Sequence, residues 1–232
     1  MFRGKSKVLS KGTCDDSLVM EFLDDVTAFN GEKKAVLAGK GALCAGISGI
    51  IFRHLEVRGV PTHFIKDLDE NTMLVKKAEI IPVEVIVRNV AAGGFAKKYG
   101  VADGAELANK VLEFCYKSDE LGDPLMNESQ ITAIGLAAYD ELQKMASQAL
   151  KVNEILSLLF ANAGIQLVDF KLEFGRCQGG IILCDEISPD SCRLWDAQTG
   201  ERLDKDRFRL GLPDVLNGYQ EVLKRIQQFY LP

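Results

Sequence analysis

Residues 166–196, with the sequence QLVDFKLEFGRCQGGIILCDEISPDSCRLWD, decide the fold expected for this chain. In the first half of this stretch, apolar residues alternate with Asp169, Lys171 and Glu173. A period of two places the apolar and the charged side chains on opposite faces of a β-strand. A Gln-Gly-Gly turn and the apolar residues 181–184 follow, and they predict a second strand that returns antiparallel to the first.

The predicted hairpin ends at Asp185 and Glu186, which should return near the charged face of the first strand. Carboxylates and a lysine on rigid strands suit an oxygen-ligated Mg²⁺ that carries a nucleotide phosphate. An ordinary amphipathic hairpin with a solvated charged face would show the same alternation. The continuation SPDSCRLWD favours a functional site, because this predicted turn contains Asp190, Arg193 and the only tryptophan, Trp195.

Length and composition restrict the class of protein. The 232 residues suffice for one large domain or two small ones, and 47% hydrophobic with 26% charged residues is typical of a soluble globular protein. The net charge of −5 argues against a nucleic-acid-binding protein. Six cysteines without a C-x-x-C pair fit free thiols in a reducing cytosol. With no run of ~20 apolar residues and no signal-peptide core, we expect a cytoplasmic protein without a membrane span.

Two further segments suggest anion binding. Residues 2–9 predict a strand that carries Lys5 and Lys7 on one face, and such a basic hairpin can cover a polyphosphate. An exposed basic strand is the alternative. Residues 82–90 predict a strand that carries Arg88, and the small residues 91–94 after it would let backbone amides approach an anion. A glycine-rich strand-to-helix turn explains the same residues equally well.

Three motifs resemble one known family. VDFKLEFG at 168–175, DEISPDSCRLWD at 185–196 and DKDRFR at 204–209 are similar to the SAICAR synthetases of purine biosynthesis, and the resemblance extends from Phe2 to about Phe229. It implies an α+β, two-lobed fold of the kinase or ATP-grasp kind. Residues 1–77 would form a small antiparallel β lobe that covers the nucleotide, and residues 78–232 a larger α+β lobe with the metal and substrate site.

The resemblance also implies an activity. It is the ATP-dependent ligation of carboxyaminoimidazole ribonucleotide (CAIR) to L-aspartate, which yields SAICAR, ADP and phosphate. A carboxylate is a poor electrophile, so we expect ATP to phosphorylate it before the amine attacks, with Mg²⁺ and cationic groups around the transferred phosphoryl group. The implied partners are therefore small molecules, without nucleic acid or membrane, and a homodimer is compatible with this interpretation.

The resemblance further implies the site residues. Those that hold the nucleotide are Lys5, Lys7, Lys76, Glu173 and Asp185. Those that bind the ribonucleotide are Arg88, Gly93, Gly94, Arg193 and Arg209. The metal ligands are Asp185 and Glu173 with Asp169 nearby, and the catalytic residues are Lys171 and Asp190.

The chain departs from the family pattern at two of the matched positions. Asn30 stands where the family has an aspartate, and it either weakens the binding of L-aspartate or only preserves a turn. Gly94 stands where the family generally has a serine, so a backbone donor remains and a hydroxyl is lost.

Two other functions stay open at this point. An ATP phosphotransferase of kinase-like shape would use similar lobes, but the H-R-D and D-F-G signatures are missing. A nucleotide-sensing module without catalysis is the third class, and the acidic and basic groups at the matched sites argue against it. For the secondary structure, helical spacing predicts helices over residues 39–58, 139–163 and from after Pro213 to about Tyr230.

Overall fold

The computed structural model describes residues 1–229, and for Asn30 it describes the backbone only. Within these residues the strands are β1 (Phe2–Arg3), β2 (Lys7–Lys11), β3 (Ser17–Phe22), β4 (Asp25–Ala28), β5 (Lys33–Val36), β6 (Phe64–Asp67), β7 (Thr72–Lys76), β8 (Glu79–Val90), β9 (Glu106–Tyr116), β10 (Leu125–Met126), β11 (Ile165–Cys177), β12 (Gly180–Cys184) and β13 (Cys192–Asp196). The α-helices are α1 (Lys40–Glu56), α2 (Gly93–Tyr99), α3 (Glu128–Ala133), α4 (Tyr139–Asn162), α5 (Asp206–Arg209) and α6 (Val215–Phe229).

The first sheet has the strand order β1-β2-β3-β7-β6, and helix α1 packs against it. Ile47, Ile51 and Leu55 recur at helical spacing on α1 and are fully buried. Glycine inside a helix weakens it, but Gly41 has a packing reason. A Cβ at Gly41 would lie 2.4 Å from the carbonyl oxygen of Phe22, so only glycine lets α1 approach the end of β3 this closely.

The second sheet has the order β10-β9-β8-β11-β12, and β13 pairs with the first half of β11. Helix α4, predicted over residues 139–163, covers one face of this sheet with an apolar stripe that includes the fully buried Leu142, Met145 and Leu156. On β11 the predicted apolar face is buried as well. Asp169 and Glu173 on the other face are also buried, so that face does not lie in bulk solvent.

Several predicted elements differ from the observed ones. The predicted strand over residues 2–9 is divided into β1 and β2, because Gly4 turns the chain with a hydrogen bond from its amide to the carbonyl of Lys7. The predicted turn over 188–196 ends at Ser191, and the remaining residues form β13. Strand β8 also begins earlier than predicted, at Glu79 instead of Pro82. The end of the last predicted helix, at about Tyr230, lies outside the described residues.

The chain passes from the first sheet to the second between Lys76 and Glu79, and the division into two lobes at Lys77 stays a prediction. One continuous hydrophobic cluster includes residues of both sheets, such as Phe22 and Phe170. Thr62 forms a parallel bridge with Leu183 of β12, which ties the first lobe to the second. No helix within residues 1–229 is long and apolar enough to span a membrane.

Candidate active site

A cleft of about 780 Å³ lies between the two sheets. Its apolar wall includes Leu9, Leu18, Met20 and Val75 from the first sheet, and its floor is the charged face of β11. A volume of this size is typical of a small-molecule site. Of the predicted site residues, those that line the cleft are Lys5, Lys7, Lys76, Arg88, Asp169, Lys171, Glu173, Asp185, Asp190, Arg193 and Arg209.

The hairpin register positions the carboxylates at one end of the floor. Glu173 of β11 pairs with Cys184 of β12, so Asp185 follows directly beside Glu173. Asp185 itself adopts a left-handed conformation with φ of 61°, which a non-glycine residue rarely adopts. Burial raises the pKa of Glu173, and the nearby charge of Asp185 raises it further. Two buried carboxylates whose negative charges repel each other favour the binding of a cation between them.

Lysines balance part of this negative charge. The ammonium group of Lys7 lies 2.7 Å from Asp185 and 2.5 Å from Glu186. That of Lys171 lies 2.5 Å from Glu84 and 3.7 Å from Glu173. Burial alone would raise the pKa of Asp185, but the charges of Lys7 and Lys171 lower it to about 2. The two predicted metal ligands, Glu173 and Asp185, therefore lie close together, and the lowered pKa of Asp185 keeps its carboxylate ionised.

Asp169 belongs to the other end of the floor. Its Oδ2 accepts hydrogen bonds of 2.8 Å from both Arg88 and Arg193. Arg193 also donates from Nε to Asp206 at 2.8 Å, and Arg209 contacts the same carboxylate. In the described part of the chain, the ligand atoms of Asp169 do not converge with those of Glu173 and Asp185 on one point. The structure places Asp169 among guanidinium groups.

Gly93 and Gly94 lie beside this end but do not line the cleft. A Cβ at Gly93 would lie 2.5 Å from Nη2 of Arg193, and its φ is +55°, so glycine is required there. The amide of Gly93, expected to face an anion, donates to Asp103 at 3.0 Å instead. A Cβ at Gly94 would meet no atom within 4 Å, so that position is open.

Asp190 also lines the cleft, and two residues that sequence reasoning missed hold it there. Lys40 of α1 approaches Oδ2 at 2.7 Å, and Tyr219 of α6 donates to Oδ1 at 2.7 Å. Lys40 is 1% exposed, so a buried ammonium group balances the buried carboxylate. No local signal distinguishes Lys40 or Tyr219 from a helix cap and a core aromatic residue. Only the long-range fold brings them to Asp190.

Asp190 also belongs to a cluster with Cys44 and Glu186, whose potential ligand atoms lie within 4.8 Å of one another. The ammonium of Lys40 lies 3.9 Å from the sulfur of Cys44 as well as beside Asp190, so a cation is already built into this cluster. Burial raises the pKa of the Cys44 thiol well above its ordinary value. A protonated thiol is a poor metal ligand, and we assign no metal to this cluster.

The loop that contains Asn30 borders the same cleft through Phe29 and Gly31. The side chain of Asn30 lies outside the described residues. Its expected effect on L-aspartate binding therefore stays a prediction.

Fold and site together define a two-lobed protein with a cleft rich in lysine, arginine and carboxylate, as phosphotransferases and ATP-dependent ligases have. The sequence model of the SAICAR synthetases matches residues 1–226. A phosphoribosylaminoimidazole-succinocarboxamide synthase from Caldanaerobacter subterraneus subsp. tengcongensis is 52% identical over 228 residues, which cover 98% of this chain and 97% of the relative. The chain belongs to the SAICAR synthetase family.

Solved structures agree with this assignment. The phosphoribosylaminoimidazole-succinocarboxamide synthase from Ehrlichia chaffeensis superimposes with a TM-score of 0.96 at 44% identity, covering 100% of this chain and 99% of that one. A SAICAR synthetase in complex with ADP gives a TM-score of 0.95 at 47% identity, covering 100% and 98%. Both alignments include the first sheet, the second sheet and the cleft between them.

Proposed function

We propose that this chain catalyses the ATP-dependent condensation of CAIR with L-aspartate to give SAICAR, ADP and phosphate. Membership of the SAICAR synthetase family across residues 1–226 carries this proposal. The complex of a relative with ADP supports the use of ATP. The cleft adds a physical reason, because it combines a carboxylate pair with several cationic groups in one enclosed space. We also propose that the protein acts in the cytoplasm.

The reaction needs an activated carboxylate. In the proposed sequence, a carboxylate oxygen of CAIR attacks the γ-phosphorus of ATP, the bond to the ADP oxygen breaks, and an acyl phosphate forms. The amine of L-aspartate then attacks the acyl carbon. Phosphate leaves with the bonding electrons, and the nitrogen loses a proton as the amide forms. The enzyme contributes positioning and charge stabilisation in both steps.

The carboxylate end fits a divalent metal ion. Glu173 and Asp185 offer oxygen ligands on adjacent rigid positions, which suits Mg²⁺ with its remaining places filled by water and phosphate oxygens. When bound there, the ion would neutralise charge on the ATP phosphates. Lys7 and Lys171, which now contact the same carboxylates, would then be available to the phosphates. This is the expected arrangement for phosphoryl transfer.

The remaining roles follow from position. Lys5 and Lys76 line the first-sheet side of the cleft and would contact the nucleotide. Arg88 and Arg193 each donate through Nε and Nη1 to protein carboxylates, so each has unused N–H groups for the 5′-phosphate of CAIR. Lys40 and Tyr219 each hold one carboxylate oxygen of Asp190, so Asp190 would present a rigid hydrogen-bond acceptor to the substrate.

An ADP-release assay with omission of single substrates tests the proposal. Release that requires both CAIR and L-aspartate, with SAICAR as the product, is the expected result. Release with CAIR or another acceptor in the absence of L-aspartate, with a stable phosphorylated product, would instead identify a phosphotransferase. ATP binding without any release would identify a nucleotide sensor.

A further inference from the structure

Lys205, just before α5, differs from the other lysines of the cleft. Lys7, Lys117 and Lys171 each have a carboxylate within ion-pair distance. Lys76 donates to the carbonyl of Thr62 at 2.9 Å. Within residues 1–229, the ammonium group of Lys205 has neither a hydrogen-bond acceptor nor a carboxylate at such a distance, although its side chain lines the cleft and is half-buried.

The backbone around Lys205 is firmly held. Its amide donates to the carbonyl of Pro189 at 3.0 Å, which ties it to the loop that carries Asp190. The preceding Asp204 is fully buried and accepts hydrogen bonds of 2.7 Å from the amides of Leu194 and Asp206. Lys205 therefore presents its ammonium group to the cleft from a fixed position rather than from a loose loop.

The charges that face Lys205 come from four groups. Burial lowers the pKa of Lys205, and Arg209 and Lys40 add to this effect, while Asp190 and Glu186 oppose it. At ion-pair distance these carboxylates have other lysines, Lys40 for Asp190 and Lys7 for Glu186. The charge of Lys205 lowers the pKa of Asp190 from farther away, without a direct contact. A partly desolvated ammonium group without a direct partner is costly, and a bound anion would remove that cost.

The reaction brings three anionic substrates into the cleft, and this step rests on the proposed function. The lysines of the first sheet and the carboxylate end account for ATP, and Arg88 and Arg193 account for the phosphate of CAIR. L-Aspartate adds two carboxylates, and Lys205 is the remaining cleft lysine of the described residues with no protein partner. We propose that the ammonium group of Lys205 binds a carboxylate of L-aspartate and so positions its amine for attack.

The imidazole carboxylate of CAIR has the same chemistry, so the experiment must separate the two substrates. Steady-state rates of ADP release are measured for Lys205→Met, first with L-aspartate varied and then with CAIR varied, the other substrates being saturating. We expect the KM for L-aspartate to rise about tenfold or more, since a charge-assisted hydrogen bond is lost, and the KM values for CAIR and ATP to change little. Lys205→Arg, which keeps the charge, should recover part of the affinity.

Lys66→Met, at an exposed position of β6, is the matched control, and it should leave all three KM values unchanged. A rise in the KM for CAIR alone would assign Lys205 to CAIR and overturn the proposal, as would unchanged KM values in Lys205→Met. If the wild-type protein releases no ADP in response to L-aspartate, the proposed function fails before Lys205 is tested. Thermal unfolding checks the fold of each variant, and Lys205→Gln replaces Lys205→Met if the latter does not fold.

Discussion

Each end of the charged face of β11 carries a buried carboxylate, and the two carboxylates have opposite surroundings. At one end, the carboxylate of Glu173 lies beside Asp185 and among lysines. At the other end, four residues away on the same face, the carboxylate of Asp169 lies between Arg88 and Arg193. Both carboxylates are about 5% exposed, so burial does not distinguish them. The two carboxylates differ instead in their neighbours on the adjacent strands.

The neighbours also determine what each end can bind. Among the described residues around Glu173, the carboxylates are those of Glu84, Glu173, Asp185 and Glu186, and the ammonium groups in contact with them are those of Lys7, Lys117 and Lys171. When all four carboxylates are ionised, one negative charge is left over, which favours a cation. Around Asp169, each arginine uses two of its three nitrogens on carboxylates and retains donors for an anion. A single strand can therefore serve a metal ion and a phosphate.

The largest effect should come from the carboxylate end. We expect Asp185→Asn to lower kcat by ~10²-fold or more, because an amide oxygen is a much weaker ligand than a carboxylate for a hard cation. The measurement is ADP release over a range of Mg²⁺ concentrations, where the variant should need more Mg²⁺ and still not reach the wild-type rate. Asp140→Asn at the exposed start of α4 is the matched control. Near-normal turnover of Asp185→Asn at ordinary Mg²⁺ would contradict the assignment.

The next effect concerns the arginine end. Arg193→Met removes a charge-assisted contact worth roughly 1.5–3 kcal/mol, so the KM for CAIR should rise at least about tenfold. The fold should survive, because Asp169 keeps Arg88 and Asp206 keeps Arg209 as partners. The measurement is the rate of ADP release with CAIR varied, repeated at several Mg²⁺ concentrations. A change in the Mg²⁺ requirement without a change in the KM for CAIR would reverse the roles given to the two ends.

Asp169→Asn tests the comparison most directly, since Asp169 was also a candidate metal ligand. Its geometry leads us to expect a several-fold rise in the KM for CAIR, because each arginine loses one of the two carboxylates that orient it. The Mg²⁺ requirement should not change. Glu173→Gln should give the opposite pattern. If Asp169→Asn alters the Mg²⁺ dependence as strongly as Glu173→Gln does, Asp169 acts on the metal after all.

The contrast between the ends also marks how far the sequence could lead. Alternation along β11 predicted which side chains share a face, because the period of a strand is a local property. It did not predict that this face lines a cleft, because that depends on partners far away in the chain. Lys7 and Glu186 are 179 residues apart, and Lys40 and Asp190 are 150 residues apart.

Local signals failed in a different way at β13. The residues Ser188, Pro189 and Asp190 are strong turn formers, and they predicted a turn up to residue 196. The turn ends sooner, and pairing with β11 makes a strand of Cys192–Asp196. That pairing places Arg193 opposite Asp169, so the missed strand is what completes the arginine end. Its strand conformation depends on a tertiary contact that the local sequence does not encode.

The smallest effect should come from the departure at Gly94. A Cβ at this position would meet no atom within 4 Å, so we expect Gly94→Ser to add its hydroxyl without displacing a neighbour. A neutral hydrogen bond from it to the CAIR phosphate is worth about 0.5–1.5 kcal/mol, so the KM for CAIR should fall about two- to tenfold while the KM for ATP stays constant. Gly93→Ala is the contrasting variant, because its Cβ would lie 2.5 Å from Nη2 of Arg193 and its φ of +55° disfavours alanine. It should raise the KM for CAIR by displacing that guanidinium group. An unchanged KM for CAIR in Gly94→Ser would mean that the position does not reach the phosphate, and the arginines would then hold it without help from this turn.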